Sequence, residues 1–393
     1  MTEPALEALH GARDETVATL VDLVRIPSVG GTEAESAVVH HVAELLTADG
    51  IEVDLWKIPL DEITARPDFP GMEVPRTEAW GVVARLPGRG GRSLMLNGHL
   101  DVVPPGDRNA WSDDPYSGRM RDNHVYGRGA CDMKGGVAAA LAALRAINRA
   151  GVQPDGDLLF AGVIGEEDGG LGTYATLARG WRADACVITE PTALDVLAAN
   201  GGALTFRLRV EGRSAHAATR TAGHSAVEAF LPVFQALRRL EAERNATVDP
   251  LMRRWAVAYP IEVGTVHAGD WASTVPDLLV AEGRFGVALD EPVEDARRAL
   301  EEAVAPLPVQ WWGGQFASGR CPTDSDLVTR ITKHEPRAEV YGAPYGSDLR
   351  LLTAQGIPTV QYGPGEGFGH CPDERVSIDQ VLRCAATLIR LAM

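Results

Sequence analysis

The sequence contains little cysteine and shows no pairing pattern among the cysteines present. Only five of the 393 residues are cysteine, and no two of them are spaced as a CxxC motif. This scarcity disfavours a disulfide framework or a zinc finger and fits a reducing compartment. The first thirty residues also lack the basic segment and continuous apolar segment of a secretory signal. We therefore expect a cytoplasmic protein.

Long apolar runs and an excess of positive charge are also missing. The most apolar stretches, such as residues 135–147, are interrupted by charge and are shorter than the ~20 residues that a membrane span needs. Lys and Arg number 37 against 54 Asp and Glu, a net charge of -17 that would repel a phosphate backbone. We expect neither a membrane nor a nucleic acid as partner.

A nucleophilic serine or cysteine site has little support. No GxSxG motif occurs, and Cys131 has no histidine beside it in the sequence, so a buried structural thiol is the simpler interpretation of this residue. The composition, 45% hydrophobic and 23% charged, is that of a globular protein. At 393 residues the chain is long enough for two domains.

Helical and strand patterns alternate through the first half of the chain. Helical spacing of apolar residues occurs at 14–27, 33–49 and 133–151, and apolar strand-like runs occur at 82–88, 93–99, 157–164 and 185–189. Alternation of helices with nearly continuous apolar strands predicts an α/β domain, with a mostly parallel sheet and helices on both faces.

The pattern changes after residue 200. Residues 201–317 read as β-α-β-β-α-β, the order of a ferredoxin-like α+β unit. Strand and helix patterns of the first kind resume afterwards. We therefore expect a discontinuous first domain, residues 1–200 and 318–393, interrupted by an inserted second domain.

Residues with catalytic chemistry follow the predicted strands. His99 and Asp101 stand two apart, so both point to one face of an extended segment, and a carboxylate there can accept the second N–H of a metal-binding imidazole. Taken alone, the pair also fits a strand-end histidine followed by a turn aspartate. Asp132 lies between a Gly-rich turn and an Ala-rich helix, where it fits either a helix N-cap or a carboxylate that bridges two cations.

Further acids and a histidine follow other predicted strands. Glu166 and Glu167 end an apolar strand, so one can bind a metal while the other accepts a proton from water, although such a pair also fits a solvated loop. Glu190 ends the next strand, and His370 follows a Gly- and Pro-rich loop. Parallel strands bring their carboxyl ends together, and a mixed set of imidazole and carboxylate ligands suits zinc, cobalt or manganese.

The motifs GHLDVVPPG, GRGACDMKGG, GEEDGG, TEPT, GRSAHAA and GHCPDE occur in this order along the chain. Together they resemble the M20 metallopeptidase and deacylase family over nearly the whole length. The resemblance implies two divalent ions, with zinc expected first and cobalt or manganese as alternatives. The matching metal ligands are His99, Asp132, Glu167, Glu190 and His370.

The resemblance also implies individual roles. His99 and Glu190 match the ligands of one ion, Glu167 and His370 match those of the other, and Asp132 matches the bridge. Glu166 matches the general base, and Asp101 matches the residue that orients His99.

In the inserted domain, the resemblance implies a lid through which two chains form a homodimer. His216 matches a lid histidine that helps to polarise the scissile carbonyl in the partner's site, and a turn histidine is its structural alternative. Arg284 matches an arginine that binds the substrate carboxylate. Ser273 departs from the family pattern, because many members carry asparagine there, so substrate orientation cannot be transferred from relatives.

The expected activity is hydrolysis of an amide bond in a small N-acyl amino acid or a related N-acyl amine. A dipeptidase or carboxypeptidase acting on small peptides is the alternative, and an inactive ligand-binding module is a third hypothesis. Retention of all five ligands and of Glu166 argues against the inactive module. Residues 56–80 are longer and richer in proline than a connector needs, which makes them a candidate for shaping specificity.

Overall fold

The computed structural model describes residues 2–367 and 369–393. The α-helices in these parts of the chain are α1 (Thr2–Gly11), α2 (Arg13–Arg25), α3 (Glu33–Ala48), α4 (Leu60–Thr64), α5 (Gly135–Arg149), α6 (Leu171–Arg179), α7 (Ala226–Arg244), α8 (Val293–Val304), α9 (Asp326–His334), α10 (Leu349–Thr353) and α11 (Ile378–Ala392).

The strands are β1 (Glu52–Lys57), β2 (Trp80–Leu86), β3 (Leu94–His99), β4 (Arg119–Arg121), β5 (His124–Tyr126), β6 (Leu158–Val163), β7 (Ala185–Ile188), β8 (Val196–Asn200), β9 (Gly202–Glu211), β10 (Ile261–Ala268), β11 (Leu278–Val287), β12 (Val309–Phe316), β13 (Gly319–Arg320), β14 (Val340–Ala343), β15 (Thr359–Gln361) and β16 (Arg375–Ser377).

The chain divides into two compact units. The first comprises Met1–Ala198, Arg320–Tyr341 and Leu351–Met393, and the second comprises Ala199–Gly319 together with Gly342–Arg350. The inserted segment was expected to return to the first domain at residue 318, whereas the contact pattern also groups the short stretch Gly342–Arg350 with the second unit.

A nine-stranded sheet has the order β1-β2-β6-β3-β7-β15-β8-β13, with β14 beside β8. Its central strands β6, β3, β7 and β15 are parallel, and antiparallel strands flank them on both sides. All six residues of β3 and all six of β6 are buried, as expected for parallel strands covered on both faces. The predicted mixed α/β fold with a mostly parallel central sheet is confirmed.

Helix α5 begins three residues after Asp132 and is buried along most of its length. Its residues from Gly135 to Ile147 are all buried, and the helix packs between β3 and β6 on one side and α1, α2 and α11 on the other. Small side chains allow this close packing. The Ala-rich composition that the sequence displays is therefore a requirement of a helix surrounded on all sides.

The second unit contains a four-stranded antiparallel sheet in the order β10-β11-β9-β12. Two helices, α7 and α8, complete the predicted β-α-β-β-α-β succession. Alternate residues of β9 are buried, because only one face of this sheet packs against the helices. The core includes Phe206 and Leu208 of β9, Leu237 of α7 and Leu300 of α8.

A three-stranded antiparallel sheet, β16-β5-β4, was not predicted from the sequence. Each of its strands is three residues long, too short to show alternation. In the described part of the chain, no helix combines the length and apolar character needed to cross a membrane.

Candidate metal centre and active site

The predicted site residues of the first unit gather at one edge of the central sheet. His99 is the last residue of β3, Glu166 and Glu167 follow β6, and Glu190 follows β7. His370 lies in the loop after β15. Since β3, β6, β7 and β15 are parallel, all these residues lie at carboxyl ends, where ligands of open α/β sheets bind.

Asp132 lies between the two histidines and faces both. Its Oδ1 is 3.1 Å from Nε2 of His99, and its Oδ2 is 3.5 Å from Nε2 of His370. The residue occupies an irregular turn, Ala130–Lys134, directly before α5, and it follows Gly129 in the left-handed conformation at φ 82°. The carboxylate therefore points into the cluster and does not cap the helix.

Each histidine also faces a second carboxylate. Glu190 Oε1 is 3.9 Å from His99 Nε2, and Glu167 Oε1 is 3.0 Å from His370 Nε2. The five residues thus form two groups that share Asp132. Potential ligand atoms of His99, Asp132 and Glu167 lie within 4.8 Å of one another, as do those of His99, Glu166 and Glu190.

The pKa values of the clustered acids and of His99 are shifted by burial and by the charges of their neighbours. Burial and the nearby charge of Asp132 raise the pKa of Glu167, and the same two causes hold the pKa of Glu190 well above its usual range. Burial disfavours a charged His99, but Asp132 and Glu190 outweigh it and raise the pKa of this histidine. Several acids and two imidazoles in one cluster are a donor set that fits two divalent ions.

Asp101 contacts His99 through a different atom from the one expected. The main-chain carbonyl of Asp101 lies 2.9 Å from Nδ1 of His99, whereas the carboxylate Oδ1 is 3.8 Å away. The strand ends at His99, so the next two residues do not keep the strand geometry on which the sequence argument relied. The carbonyl fixes the tautomer that leaves Nε2 free to face the cluster.

Glu374 is a functional residue that sequence reasoning missed. Its Oε1 accepts hydrogen bonds from the main-chain N–H groups of Cys131, at 2.9 Å, and Asp132, at 3.0 Å. Its Oε2 pairs with the buried Arg128, and burial raises the pKa of Glu374 to about 7. Because Glu374 and His370 share one loop, this carboxylate fastens the His370 loop to the Asp132 turn. It ends the motif GHCPDE, which was its only signal in the sequence.

Lys134 stabilises the same turn from the opposite side. Its side chain is fully buried, and Nζ donates to the carbonyl oxygens of Leu23 and Ile26, each at 2.8 Å. These are carbonyls at the end of α2, where a cation is favourable. Burial lowers the pKa of Lys134 to about 7. The two carbonyls thereby fix the carboxyl end of the Ala130–Lys134 turn.

His216 and Ser273 are adjacent in the second unit. Ala217 N–H donates to the carbonyl of Ser273 at 2.9 Å, and His216 pairs with Thr274 in an isolated β-bridge. The His216 side chain is exposed, and its Nδ1 accepts a hydrogen bond from Ala218 N–H at 3.1 Å. The histidine and the serine that departs from the family pattern therefore belong to one small feature of this unit.

Arg284 lies on β11 of the second unit. Its Nη2 donates to the carbonyl of Pro344 at 3.1 Å, and burial alone lowers the pKa of Arg284. Within residues 2–367 and 369–393 this guanidinium has no acidic partner, and its buried Nε makes no hydrogen bond. A half-buried guanidinium of this kind is suited to bind an anion.

Comparison with known proteins agrees with the geometry. Residues 95–393 match the sequence profile described as Peptidase family M20/M25/M40. A succinyl-diaminopimelate desuccinylase of Methylorubrum extorquens is 35% identical over 399 residues, covering 93% of this chain and 94% of the relative. A deformylase of N-formyl-4-amino-5-aminomethyl-2-methylpyrimidine from Halalkalibacterium halodurans is 26% identical and covers 98% and 96%.

Solved structures share the fold. A tripeptidase from Staphylococcus aureus matches with a TM-score of 0.75 and 21% identity, covering 97% of each chain. A dinuclear metal-binding M20 peptidase from Bacillus subtilis matches with a TM-score of 0.65 and 16% identity, covering 98% of each. The chain is therefore a metal-dependent amide hydrolase by its sheet topology, its cluster of histidines and carboxylates and its relatives. The chain belongs to peptidase family M20/M25/M40.

Proposed function

We propose that the cluster binds two divalent ions and hydrolyses an amide bond, with zinc as the first expectation and cobalt or manganese as alternatives. The position of Asp132 supports this proposal most directly, since its two oxygens face two different histidines. His99 and Glu190 would hold one ion, and Glu167 and His370 the other. Bound divalent ions polarise a carbonyl and make water a nucleophile at neutral pH.

The protein residues supply positioning and proton transfer. Glu166 is the proposed general base, and it is buried beside His99 and Glu190. It takes a proton from the attacking water and passes it to the nitrogen of the leaving amine. The carbonyl of Asp101 holds the His99 ring in place, and His216 would stabilise the negative charge that develops on the carbonyl oxygen.

Glu166→Gln tests the assignment of the general base. The amide cannot accept a proton, so we expect turnover to fall at least about a hundredfold while the protein still binds two ions. Activity assays and elemental analysis on the same samples measure both quantities. A variant that keeps wild-type turnover contradicts the role, and Glu366→Gln, an exposed change in the loop after β15, serves as the control.

We propose an N-acyl amino acid or a related N-acyl amine as the substrate. The desuccinylase and the deformylase support deacylation by their names, whereas the tripeptidase keeps a peptidase as the alternative. Arg284 offers a cation for the carboxylate of either substrate class. Steady-state kinetics on N-succinyl, N-acetyl and N-formyl amino acids beside dipeptides and tripeptides distinguish the two. A kcat/KM at least tenfold higher for peptides than for N-acyl amino acids would instead make peptide hydrolysis the main activity.

We propose that residues 201–317 form a lid domain through which two chains make a homodimer. On α7, Val227, Leu231 and Phe234 are 41%, 57% and 38% exposed, and their spacing places them on one helical face. The neighbouring β10 is an edge strand with Val266 exposed. An apolar stripe beside an open strand edge is suited to a symmetric interface.

Leu231→Glu tests the dimer, because it places a charge in the centre of the exposed stripe. Light scattering should report a dimer for the wild-type protein and a monomer for the variant. If His216 serves the site of the partner, the monomer should also lose turnover. A wild-type monomer with full activity would refute both proposals.

We also propose that the protein works in the cytoplasm. The structure holds the five cysteines as thiols, and four of them are buried. A reducing compartment keeps such residues in this state. Fractionation of cells that express the full chain, with activity as the marker, tests the location.

A further inference from the structure

The connector between β1 and β2 inserts an arginine beside the site. The residue itself lies in irregular chain, yet the Arg76 side chain is 0% exposed. Its guanidinium forms a two-point hydrogen-bonded ion pair with Asp168, with Nη1 to Oδ2 at 2.9 Å and Nη2 to Oδ1 at 2.9 Å. Asp168 stands directly after Glu167, so the arginine holds the loop that carries Glu166 and Glu167.

The same guanidinium makes a second two-point ion pair with Glu35 of α3. Nε donates to Oε2 at 2.9 Å, and Nη2 donates to Oε1 at 2.7 Å. Burial alone would lower the pKa of Arg76, but its hydrogen bonds with Glu35 and Asp168 raise it above the usual range. The arginine is therefore a permanent buried cation whose five donors form a rigid planar set.

The backbone packs closely against the Arg76 guanidinium. A Cβ atom at Gly165, the residue before Glu166, would lie 3.2 Å from Nη2 of Arg76, and one at Gly30 would lie at the same distance. Gly165 also adopts φ +67°, which favours glycine. The strand-to-loop turn that aims Glu166 thus packs directly against the guanidinium.

Asp168 anchors the connector in return. Its Oδ2 accepts hydrogen bonds from the N–H groups of Glu73, at 3.1 Å, and Val74, at 2.8 Å. On the other side, Ser28 and Gly30 bond to Val102 of the loop that follows His99. Arg76 therefore joins the connector, the Glu166–Asp168 loop and α3. Through Glu35, which also accepts a hydrogen bond from Gly31 N–H at 3.0 Å, it is linked to the stretch before α3 that supports the His99 loop.

We propose that Arg76 is a positioning residue for the hydrolysis, holding the Glu166 and Glu167 loop in place through Asp168. This inference depends on the proposed function. Within the described residues, the Arg76 guanidinium donates hydrogen bonds to Glu35, Asp168 and Val74 and to none of the proposed metal ligands, so it acts through the loop. The Pro-rich connector thereby becomes part of the site's support.

Arg76→Met tests the proposal, because methionine fills space but makes none of these ion pairs. Loss of a supporting residue around a metal site typically weakens metal binding or activity by about 10- to 100-fold. We expect the Kd for Co²⁺ to rise and kcat to fall within that range, with KM changed less than about twofold since Arg76 does not touch substrate.

Arg145→Met is the matched control. Arg145 is 7% exposed and also pairs with two acids, Asp49 and Glu15, but it lies on α5 among helices α2 and α3, away from the cluster. Both variants should lose thermal stability. Only Arg76→Met should change the Kd for Co²⁺, measured by calorimetry and by the visible absorption of bound cobalt.

Asp168→Asn is a second test of the positioning role if the Arg76 variant fails to fold. It keeps the side-chain shape but removes one acceptor oxygen and the charge, so it should shift Kd and kcat in the same direction. If Arg76 acts through Asp168, the double variant should be no worse than Arg76→Met alone. Additive losses contradict the proposal, as do equal Kd and kcat values in Arg76→Met and Arg145→Met.

The proposed hydrolysis and the proposed positioning role of Arg76 are refuted by different results. Wild-type protein that binds two ions yet cleaves no amide would refute the proposed hydrolysis. The Co²⁺ affinity of the variants would still decide whether Arg76 positions the loop. Normal catalysis with unchanged metal affinity and kcat in Arg76→Met would refute the positioning role alone.

Discussion

Single residues decide how many ions the cluster can bind. Asp132 is shared between the two histidines, while His370 faces Asp132 and Glu167. Asp132→Ala should therefore reduce binding from two ions to none at micromolar metal, whereas His370→Ala should leave one. Calorimetric titration of chelator-stripped protein gives the stoichiometries. Two ions in the Asp132 variant would show that this carboxylate is no bridge.

The sequence predicted the identity of the clustered residues better than their contacts. Placement after apolar strands was enough to bring His99, Glu167 and Glu190 together, because parallel strands end at one edge. The atom by which Asp101 contacts His99 was predicted incorrectly, since the strand ends at His99, two residues before Asp101. The catalytic roles of all these residues stay predictions.

Supporting residues were harder to predict. Glu374 acts through main-chain N–H groups 242 and 243 residues away in the chain, and Arg76 acts through Asp168, 92 residues away. Spacing in the sequence carries no signal for contacts that only the folded chain creates. Both residues also lie in irregular segments, where hydrophobic periodicity gives no direction for a side chain.

At the scale of helices and strands, α5 packs so tightly on the end of β7 that one glycine has no room for a methyl group. A Cβ at Gly136 would lie 1.7 Å from the carbonyl oxygen of Thr189, the residue before Glu190. Gly136→Ala should destabilise the protein by about 1–3 kcal/mol and weaken metal binding, although alanine normally favours a helix.

Gly11→Ala in α1 is the control for this prediction. Apart from its two neighbours and the backbone of α1 itself, no described atom lies within 4 Å of its Cβ position, so the change should be neutral or stabilise by up to about 1 kcal/mol. Urea unfolding measures both variants. Equal stability changes would show that α5 has more room than the structure indicates.

Helix α2 is joined to α5 by an ion pair whose strength depends on pH. A hydrogen bond from Arg149 is the main cause that lowers the pKa of Glu15, and Arg145 adds to it. A carboxyl with a lowered folded-state pKa stabilises above its unfolded value of 4.5, and this contribution disappears as pH falls through the folded value. Glu15 is partly exposed, so the contribution is about 0.5 kcal/mol.

Glu15→Gln should therefore lower stability at pH 7 and have a shrinking effect as the pH falls below 4.5. Urea unfolding of both proteins across pH 7 to 3.5 measures the difference. A difference that stays constant, or that grows towards acid, would contradict the pairing of α2 with α5.

Long elements were predictable and short ones were not. Helices α5, α7 and α11 have 15, 19 and 15 residues, enough for the helical period to show. Strands β4, β5 and β16 have three residues each, and β16 pairs with β5 across some 250 positions of sequence. No local pattern encodes such a pairing.

At the scale of the whole molecule, the predicted α/β fold with an antiparallel α+β insertion is confirmed, and the chain is a member of peptidase family M20/M25/M40. The fold does not determine the substrate. The relatives named above include a desuccinylase, a deformylase and a tripeptidase on one architecture. Selectivity is therefore set by individual residues and not by the fold, and the roles of Arg284 and Ser273 in it stay proposals.

A metal titration with an assay on the same sample decides whether the chain is a two-metal amide hydrolase. Chelator-stripped protein is titrated with Zn²⁺ or Co²⁺, and hydrolysis of an N-acyl amino acid panel and a peptide panel is followed at each step. We expect saturation at two ions per chain, with amide hydrolysis that depends on the added metal. Saturation at one ion or none, or full hydrolysis in the stripped protein, would contradict it.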